Sequence, residues 1–273
     1  MRIASLTYPL VALSSFVIGH PAAVAQPPSG IDPEALIEQI LIVDSTQRTE
    51  LRDVVFQTER IDGEYNDKEE FKEKARWIKK TFIKYLPDTA LFKEEVLELT
   101  KDGKLKSAED RDKEFATQLE KKKRRKGFDV SLNMVRPFFP RYRALYEITY
   151  QGVDPNKYAD RICHHFTVTA KEKADSLING EYYFEAENFH LVRVEFEPAK
   201  LVRSTMFKMN RLHMTLDYTP TPEGFWLPKE FSIRGKAKAM FFIGVQIASR
   251  EYYKNPRINS GIKDQFFEVG HDE

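Results

Sequence analysis

The chain has 273 residues, 41% of them hydrophobic and 12% aromatic, with 43 basic residues against 42 acidic ones and a single cysteine. That apolar share suffices for a sizeable core and excludes wholesale disorder. Balanced charge gives no global attraction to nucleic acid, and one cysteine excludes an internal disulfide, a cysteine-based zinc cluster and an iron–sulfur site.

Met1 and Arg2 make a weakly basic start, and residues 3–19 are mostly apolar without further charge. Ala23, Val24 and Ala25 form the small-x-small step that a signal peptidase cuts, so residues 1–25 are expected to be a signal peptide cleaved near Ala25. The competing reading, a retained membrane anchor, is weakened by Pro9, Ser14, Ser15, His20 and Pro21. No cysteine stands at the cleavage step, so a lipid anchor there is not expected, and an exported, periplasmic protein is.

Residues 26–30 form a Pro-rich linker, and Asp32 and Pro33 then supply an N-cap and a first helical position. Leu36, Ile37, Ile40, Leu41 and Val43 predict an amphipathic helix over 33–44. From Leu51 the period becomes two, with Val54, Phe56 and Thr58 on one face and a turn expected at Asp62 and Gly63. Residues 67–76 are charged enough to be strand or helix; strands are expected at 77–86 and 91–99, with a turn at 101–104. A polar helix over 107–126 follows, ending in Lys121, Lys122, Lys123, Arg124, Arg125 and Lys126 before Gly127. Two readings of that run stay open. Cations at a helix C-terminus complement the macrodipole and match Glu109, Asp110, Asp112, Glu114 and Glu120 upstream; alternatively, the run contacts an anionic membrane surface or an acidic protein partner.

Beyond Gly127 the strand pattern returns. Tyr146, Ile148 and Tyr150 alternate, a turn is expected at 152–156, and His164, Phe166 and Val168 share a face of a strand at 162–170. Asn179 and Gly180 read as a hairpin turn, Glu187 and Asn188 as another, and residues 220–224 as a third. Val192, Val194 and Phe196 are expected on one face, as are Leu212, Met214, Leu216 and Tyr218. The last strands are expected at 225–234 and 237–253, which brings the count to about ten or eleven.

The implied fold class is α+β: a curved antiparallel sheet wrapped over the N-terminal helix, which the family resemblance given below makes an incomplete β-barrel with the N-terminal helix and one inserted helix on the open side. Residues 31–260 form one domain with the charged helical insertion at about 107–126, and 261–273 form a C-terminal tail. Parity places Tyr182, Phe184, Val194, Phe196, Leu216, Tyr218, Phe241 and Ile243 on the concave side. They line a hydrophobic ligand cavity if the core is incompletely filled, and are plain core if it is not.

Catalytic signals are weak. No nucleophile-elbow, zincin, P-loop or dinucleotide motif is present. Cys163, His164 and His165 alternate in direction on a strand and cannot converge on one metal, while Glu94 with Glu95 and Glu195 with Glu197 read as solvated strand positions. No catalytic residue, metal site or cofactor is therefore expected.

Three blocks carry a family resemblance. Residues 180–196 (GEYYFEAENFHLVRVEF), residues 158–171 (YADRICHHFTVTAK), and Leu216, Asp217 and Tyr218 with residues 223–229 (EGFWLPK) resemble the hairpin, strand and Gly-x-Trp-x-Pro step of outer-membrane lipoprotein-sorting proteins and the related LolA/LolB-like periplasmic families. The likeness covers about residues 140–253. It implies an incomplete barrel with helices plugging the open side. It also implies a carrier or chaperone sheltering acyl chains of a lipid or lipoprotein; the alternative is a non-catalytic sensor or protein-interaction domain in envelope regulation. Lipid or acylated lipoprotein is the implied partner, and nucleic acid is not.

Overall fold

A computed structural model describes residues 31–66, 70–86, 90–124, 134–158, 160–201, 203, 207–239 and 243–267. The expected signal peptide, the linker, Gly127 and Phe241 lie outside them. The elements run α1 (Pro33–Glu50), β1 (Asp53–Tyr65), β2 (Phe71–Tyr85), β3 (Ala90–Lys101), β4 (Lys104–Leu105) and α2 (Ala108–Arg124). A 3-10 turn (Arg136–Phe138) and a single helical turn (Pro140–Arg143) precede β5 (Tyr146–Tyr158), β6 (Arg161–Ala170), β7 (Ile178–Glu185), β8 (Leu191–Pro198), β9 (Phe207–Pro220), β10 (Trp226–Ala239) and β11 (Ile243–Ile258).

All eleven strands form one open, curved antiparallel sheet in the order β4-β3-β2-β1-β11-β10-β9-β8-β7-β6-β5. It is two meanders joined where the first strand of the chain meets the last, β1 against β11. Asp53 reinforces that seam from inside: its buried carboxylate accepts from the Ser260 N–H at 2.7 Å, the Ser260 hydroxyl at 2.7 Å and the Gly261 N–H at 2.9 Å. The sheet edges are β4 and β5, neighbours in sequence, so the link 106–145 must travel from one edge to the other. Its first part, α2, lies beside β3, with Arg111 donating to the Leu97 carbonyl at 2.7 Å and Lys101 paired with Glu114 at 2.6 Å. No residue of α2 through Glu120 is buried.

The helix at the N-terminus starts as expected, with the Asp32 carboxylate accepting from the Glu34 N–H at 3.0 Å. It continues six residues beyond the expected Asp44, to Glu50. Thr46 and Thr49 are not helix breakers here, because their hydroxyls donate back to the carbonyls of Ile42 and Ser45 at 2.9 Å each. Arg48 closes an i,i+4 pair on Asp44 at 2.7 Å.

Three expected turns are interior to strands. Gly63 lies in β1, where the register against β2 shifts; a Cβ there would sit 2.4 Å from the Lys72 carbonyl oxygen. Gly152, at φ 105°, bulges β5 against β6, and the chain reverses later, at Asp160 with φ 62°. Asn179 and Gly180 lie in β7, paired with Glu197 and Phe196. The Asn179 side chain accepts from the Ala170 N–H at 2.9 Å, and a Cβ at Gly180 would come 2.9 Å from the Glu195 carbonyl oxygen. In all three cases glycine permits a bulge or a close approach of neighbouring backbone, which local sequence cannot distinguish from a turn. The Asp102–Gly103 turn is where it was expected, with φ of 50° and 74°. The last hairpin falls later than expected, β10 continuing to Ala239.

The Gly180 contact has a measurable consequence. Gly180→Ala should lower stability by about 1–3 kcal/mol, since backbone on the facing strand cannot yield as a side chain would. Thermal or urea denaturation checks this, with an unchanged midpoint as the contrary result.

Candidate functional site

The alternation along β5–β10 sends one set of side chains to the concave face. Tyr146, Tyr150, Phe166, Val168, Tyr182, Phe184, Val194, Phe196, Met214 and Leu216 meet there in one buried cluster, with Leu212, Tyr218, Phe231 and Ile233 packed against it. Of the residues expected on this face, Tyr182, Phe184, Val194 and Phe196 are at most 1% exposed and Leu216 is 5% exposed. Tyr218 is half-buried at the cluster edge. Ile243 is placed only by its backbone, at the start of β11. Val192 departs from its expected face: the register shifts between Tyr183 and Phe184, and Val192 joins Cys163, Tyr183 and Trp226 in a separate cluster.

Two covers close the concave cluster. One is α1, whose Ile37 and Ile40 are buried in it. The other is the segment 134–143, which contributes Met134, Val135 and Phe138. Phe138 is fully buried and meets Tyr182, Phe184 and Phe166 edge-to-face at centroid distances of 5.2, 5.3 and 5.7 Å. The covers hold each other at the surface through an Arg143–Glu34 ion pair and through the Arg48 guanidinium, 5.6 Å from the Phe139 ring. Gln47 ties α1 to the sheet: its carbonyl oxygen accepts from the Trp226 N–H at 2.7 Å and its amide donates to the Trp226 carbonyl at 3.1 Å.

The buried stripe of α1 turns polar toward its C-terminus, from Ile37 and Ile40 to Asp44, Gln47 and Arg48. Beneath those three residues a pocket of about 80 Å³ remains, edged also by Tyr85, His190 and Tyr218. Burial raises the Asp44 carboxyl above its ordinary value despite Arg48, pushes the Tyr85 phenol up to about 12, and lowers the His190 imidazole.

The concave face changes character across the seam. On β11, β1, β2 and β3 the residues that continue it include a buried ionic network. The Lys79 ammonium, 5% exposed, pairs with Glu94 and, at 3.0 Å, with Glu251. Arg60 pairs with Asp62 at 2.8 Å, and the Ser249 hydroxyl donates to Asp62 at 2.8 Å. Thr58 and Thr81 share a buried hydroxyl–hydroxyl bond. Burial alone would lower the Lys79 amine, but Glu251 and Glu94 outweigh it and hold it above its ordinary value. Glu94 is therefore an inward ion-pair partner rather than a solvated strand position. Glu195 stays on the outer surface, in a chain with Arg193 at 2.8 Å that extends to Asp217 at 2.9 Å.

The thiol of Cys163 is buried and bonds its neighbour's carbonyl, Arg161 O, at 3.7 Å. Burial, reinforced by Glu185 and Asp154, pushes it up to about 12, so it is a core side chain and no nucleophile at neutral pH. His164 turns to the opposite side and bonds the Tyr150 hydroxyl at 3.0 Å. His165 bonds Glu181 at 2.7 Å and stacks on Tyr183. Among the described residues no three His, Cys, Asp or Glu side chains converge as metal ligands do. In the basic run, Lys121, Lys122, Lys123 and Arg124 belong to the last turn of α2 by backbone; Arg125 and Lys126 lie outside the described residues.

Phe138 and the Lys79 network escape sequence reading. Phe138 stands in Arg136-Pro137-Phe138-Phe139-Pro140, a stretch with no period, and its two flanking prolines are its only local signal. Lys79 looks like any strand lysine beside Lys80.

No family model matches the sequence, and no curated protein matches it. Solved structures do. The chain is similar in structure to lipoprotein-sorting and LolA-superfamily proteins. A putative outer membrane lipoprotein-sorting protein domain from Vibrio parahaemolyticus aligns over 85% of this chain and 97% of its own, at 12% identity and TM-score 0.39. A LolA superfamily protein from Nitrosomonas europaea aligns over 85% and 97%, at 10% identity and TM-score 0.40. A DUF1329 family protein from Desulfovibrio piger aligns over 87% and 98%, at 11% identity and TM-score 0.46.

Lys79→Met tests the ionic network. It leaves Glu94 and Glu251, 16% and 15% exposed, without their cation and should cost about 3 kcal/mol near pH 7, the lower end for a buried pair. Urea denaturation of both proteins at pH 7 measures this; an unchanged midpoint would deny the network a structural role.

Proposed function

We propose that the protein is an exported, non-catalytic carrier that shelters the acyl chains of a lipid or lipoprotein against the concave face of β5–β10, with α1 and the segment 134–143 as the displaceable cover. The observation that carries this assignment is the lining itself. It is a continuous apolar and aromatic surface across six strands, closed by two elements that insert side chains without joining the sheet by backbone. The sequence resemblance of residues 180–196 to the lipoprotein-sorting hairpin agrees with it.

Phe138 gives the test a sign. Phe138→Ala removes the ring that fills the centre of the cluster and should cost about 3–5 kcal/mol of stability. If the cover is displaced by ligand, the same variant should take up a fluorescent fatty acid more tightly than the wild type. Native mass spectrometry of protein isolated from an envelope extract should show a copurified lipid or acylated protein. Uptake lost along with stability, and no copurified acyl species, would rule the carrier role out.

A second reading, a protein-interaction domain, is favoured by one observation. The open space of about 80 Å³ is far below the roughly 300–1,000 Å³ of ordinary ligand pockets. A stable protein partner copurifying without any acyl species would select it.

The basic run Lys121, Lys122, Lys123, Arg124, Arg125 and Lys126 is proposed as the docking face for an anionic bilayer, each cation adding about 1 kcal/mol near the surface. Charge reversal at Lys122, Arg124 and Lys126 should abolish co-sedimentation with anionic vesicles while leaving the melting temperature in place. Wild-type binding should itself fall with salt, over a Debye length of about 8 Å at physiological ionic strength. Equal sedimentation of both proteins would leave the run as charge matched to a helix end.

A further inference from the structure

The hydroxyl of Tyr182 is buried and has no hydrogen-bond partner among the described residues. Its ring is 0% exposed and lies at the centre of the concave cluster, under Phe138 and parallel to Phe184. An unmade bond at such a place is costly: a phenol stripped of water and given nothing in return is disfavoured against a phenylalanine of the same shape. Burial, and after it the nearby Tyr146 and Tyr218, hold the phenol well above its ordinary range, so it stays a neutral O–H donor. Tyr146, on the same face, differs in that its hydroxyl is engaged by the Ile178 backbone. The polar groups of the ionic half of the sheet sit beyond the seam, on β11, β1, β2 and β3. A donor with no acceptor among the described residues therefore stands in a filled, mostly aromatic cluster, beside the ring that must leave for the cluster to open into a chamber.

From this geometry we infer that Tyr182 is the polar anchor of the chamber, and that its hydroxyl donates to the ester or amide carbonyl of a bound acyl chain. This rests on the carrier assignment above and specifies its ligand further: a chain bearing a carbonyl at one end, in preference to a bare hydrocarbon. A carbonyl oxygen suits this hydroxyl because it accepts without bringing a charge or a donor of its own into the cluster. Phe138 is then the placeholder that covers the phenol while no ligand is bound.

The test compares hexadecane with methyl palmitate as competitors of a fluorescent fatty acid, on wild-type protein and on Tyr182→Phe. Wild type should prefer the ester by about tenfold, the factor that one ordinary hydrogen bond supplies. Tyr182→Phe should reduce that preference to near unity, with a melting temperature equal to or above that of the wild type because an unpaired buried hydroxyl has gone. A preference that survives in Tyr182→Phe overturns the anchor and leaves the carrier assignment standing. Failure of both proteins to take up any of the chains overturns the carrier assignment and the anchor with it. Two further competitors separate the sources of the carbonyl, a palmitoylated tripeptide for lipoprotein and a palmitoyl lysophospholipid for free lipid. Whichever competes better, weaker competition on Tyr182→Phe supports the anchor and unchanged competition overturns it.

Discussion

An open antiparallel sheet with one apolar face must cover that face or aggregate, and most of the structure answers to this requirement. Closing the sheet into a barrel would bury the face against itself. Here the chain leaves its edges, β4 and β5, apart and spends the link between them on a cover. Phe138 is the key of that arrangement: three rings from β6 and β7 present their faces or edges to it, and α1 closes the space beside it with Ile37 and Ile40. Such packing is dense and apolar, but it consists of side-chain contacts from separate pieces of chain. Covers of this kind separate from a sheet more cheaply than a strand does, because no backbone ladder has to break.

The other half of the sheet meets the same requirement differently. Its concave side near the seam carries a second core of Leu51, Val54, Phe56, Ile83 and Leu227, and beyond it Lys79, Glu94, Glu251, Arg60 and Asp62 neutralise one another. Buried ion pairs are poor sources of stability but strict judges of geometry, since each charge is tolerable only while its partner stays in place. The network thus separates an ionic floor from an apolar one within a single curved surface. The polar stripe of α1, Asp44, Gln47 and Arg48, sits over the small pocket, between the aromatic cluster and the second core.

Much of this was legible in the residues, because parity is a local property. A strand that alternates Tyr182 and Phe184 with Tyr183 and Glu185 declares two faces whatever it pairs with, and Tyr182, Phe184, Val194, Phe196 and Leu216, read as inward from sequence, are in the cluster. The exceptions are instructive. Val192 changes side because a bulge adds one residue to β8, and a bulge is a relation between two strands that neither displays alone. Gly63, Gly152 and Gly180 read as turns because glycine signals backbone freedom without saying whether a reversal, a bulge or a close neighbour requires it.

Spacing along the chain therefore shows most of the strands, most of their inward faces, and the helix that starts at Asp32 and Pro33. That β1 closes on β11 and that Phe138 fills the concave face belong to the folded chain as a whole. It alone put Glu94 against Lys79 and left the Tyr182 hydroxyl without a partner among the described residues. These are long-range facts: Lys79 and Glu251 are 172 residues apart, and nothing in the neighbourhood of either one names the other. Periodicity fixes which way a side chain points, but what it meets depends on strand order and on where a distant loop returns, and those emerge only when the whole apolar surface is buried at once.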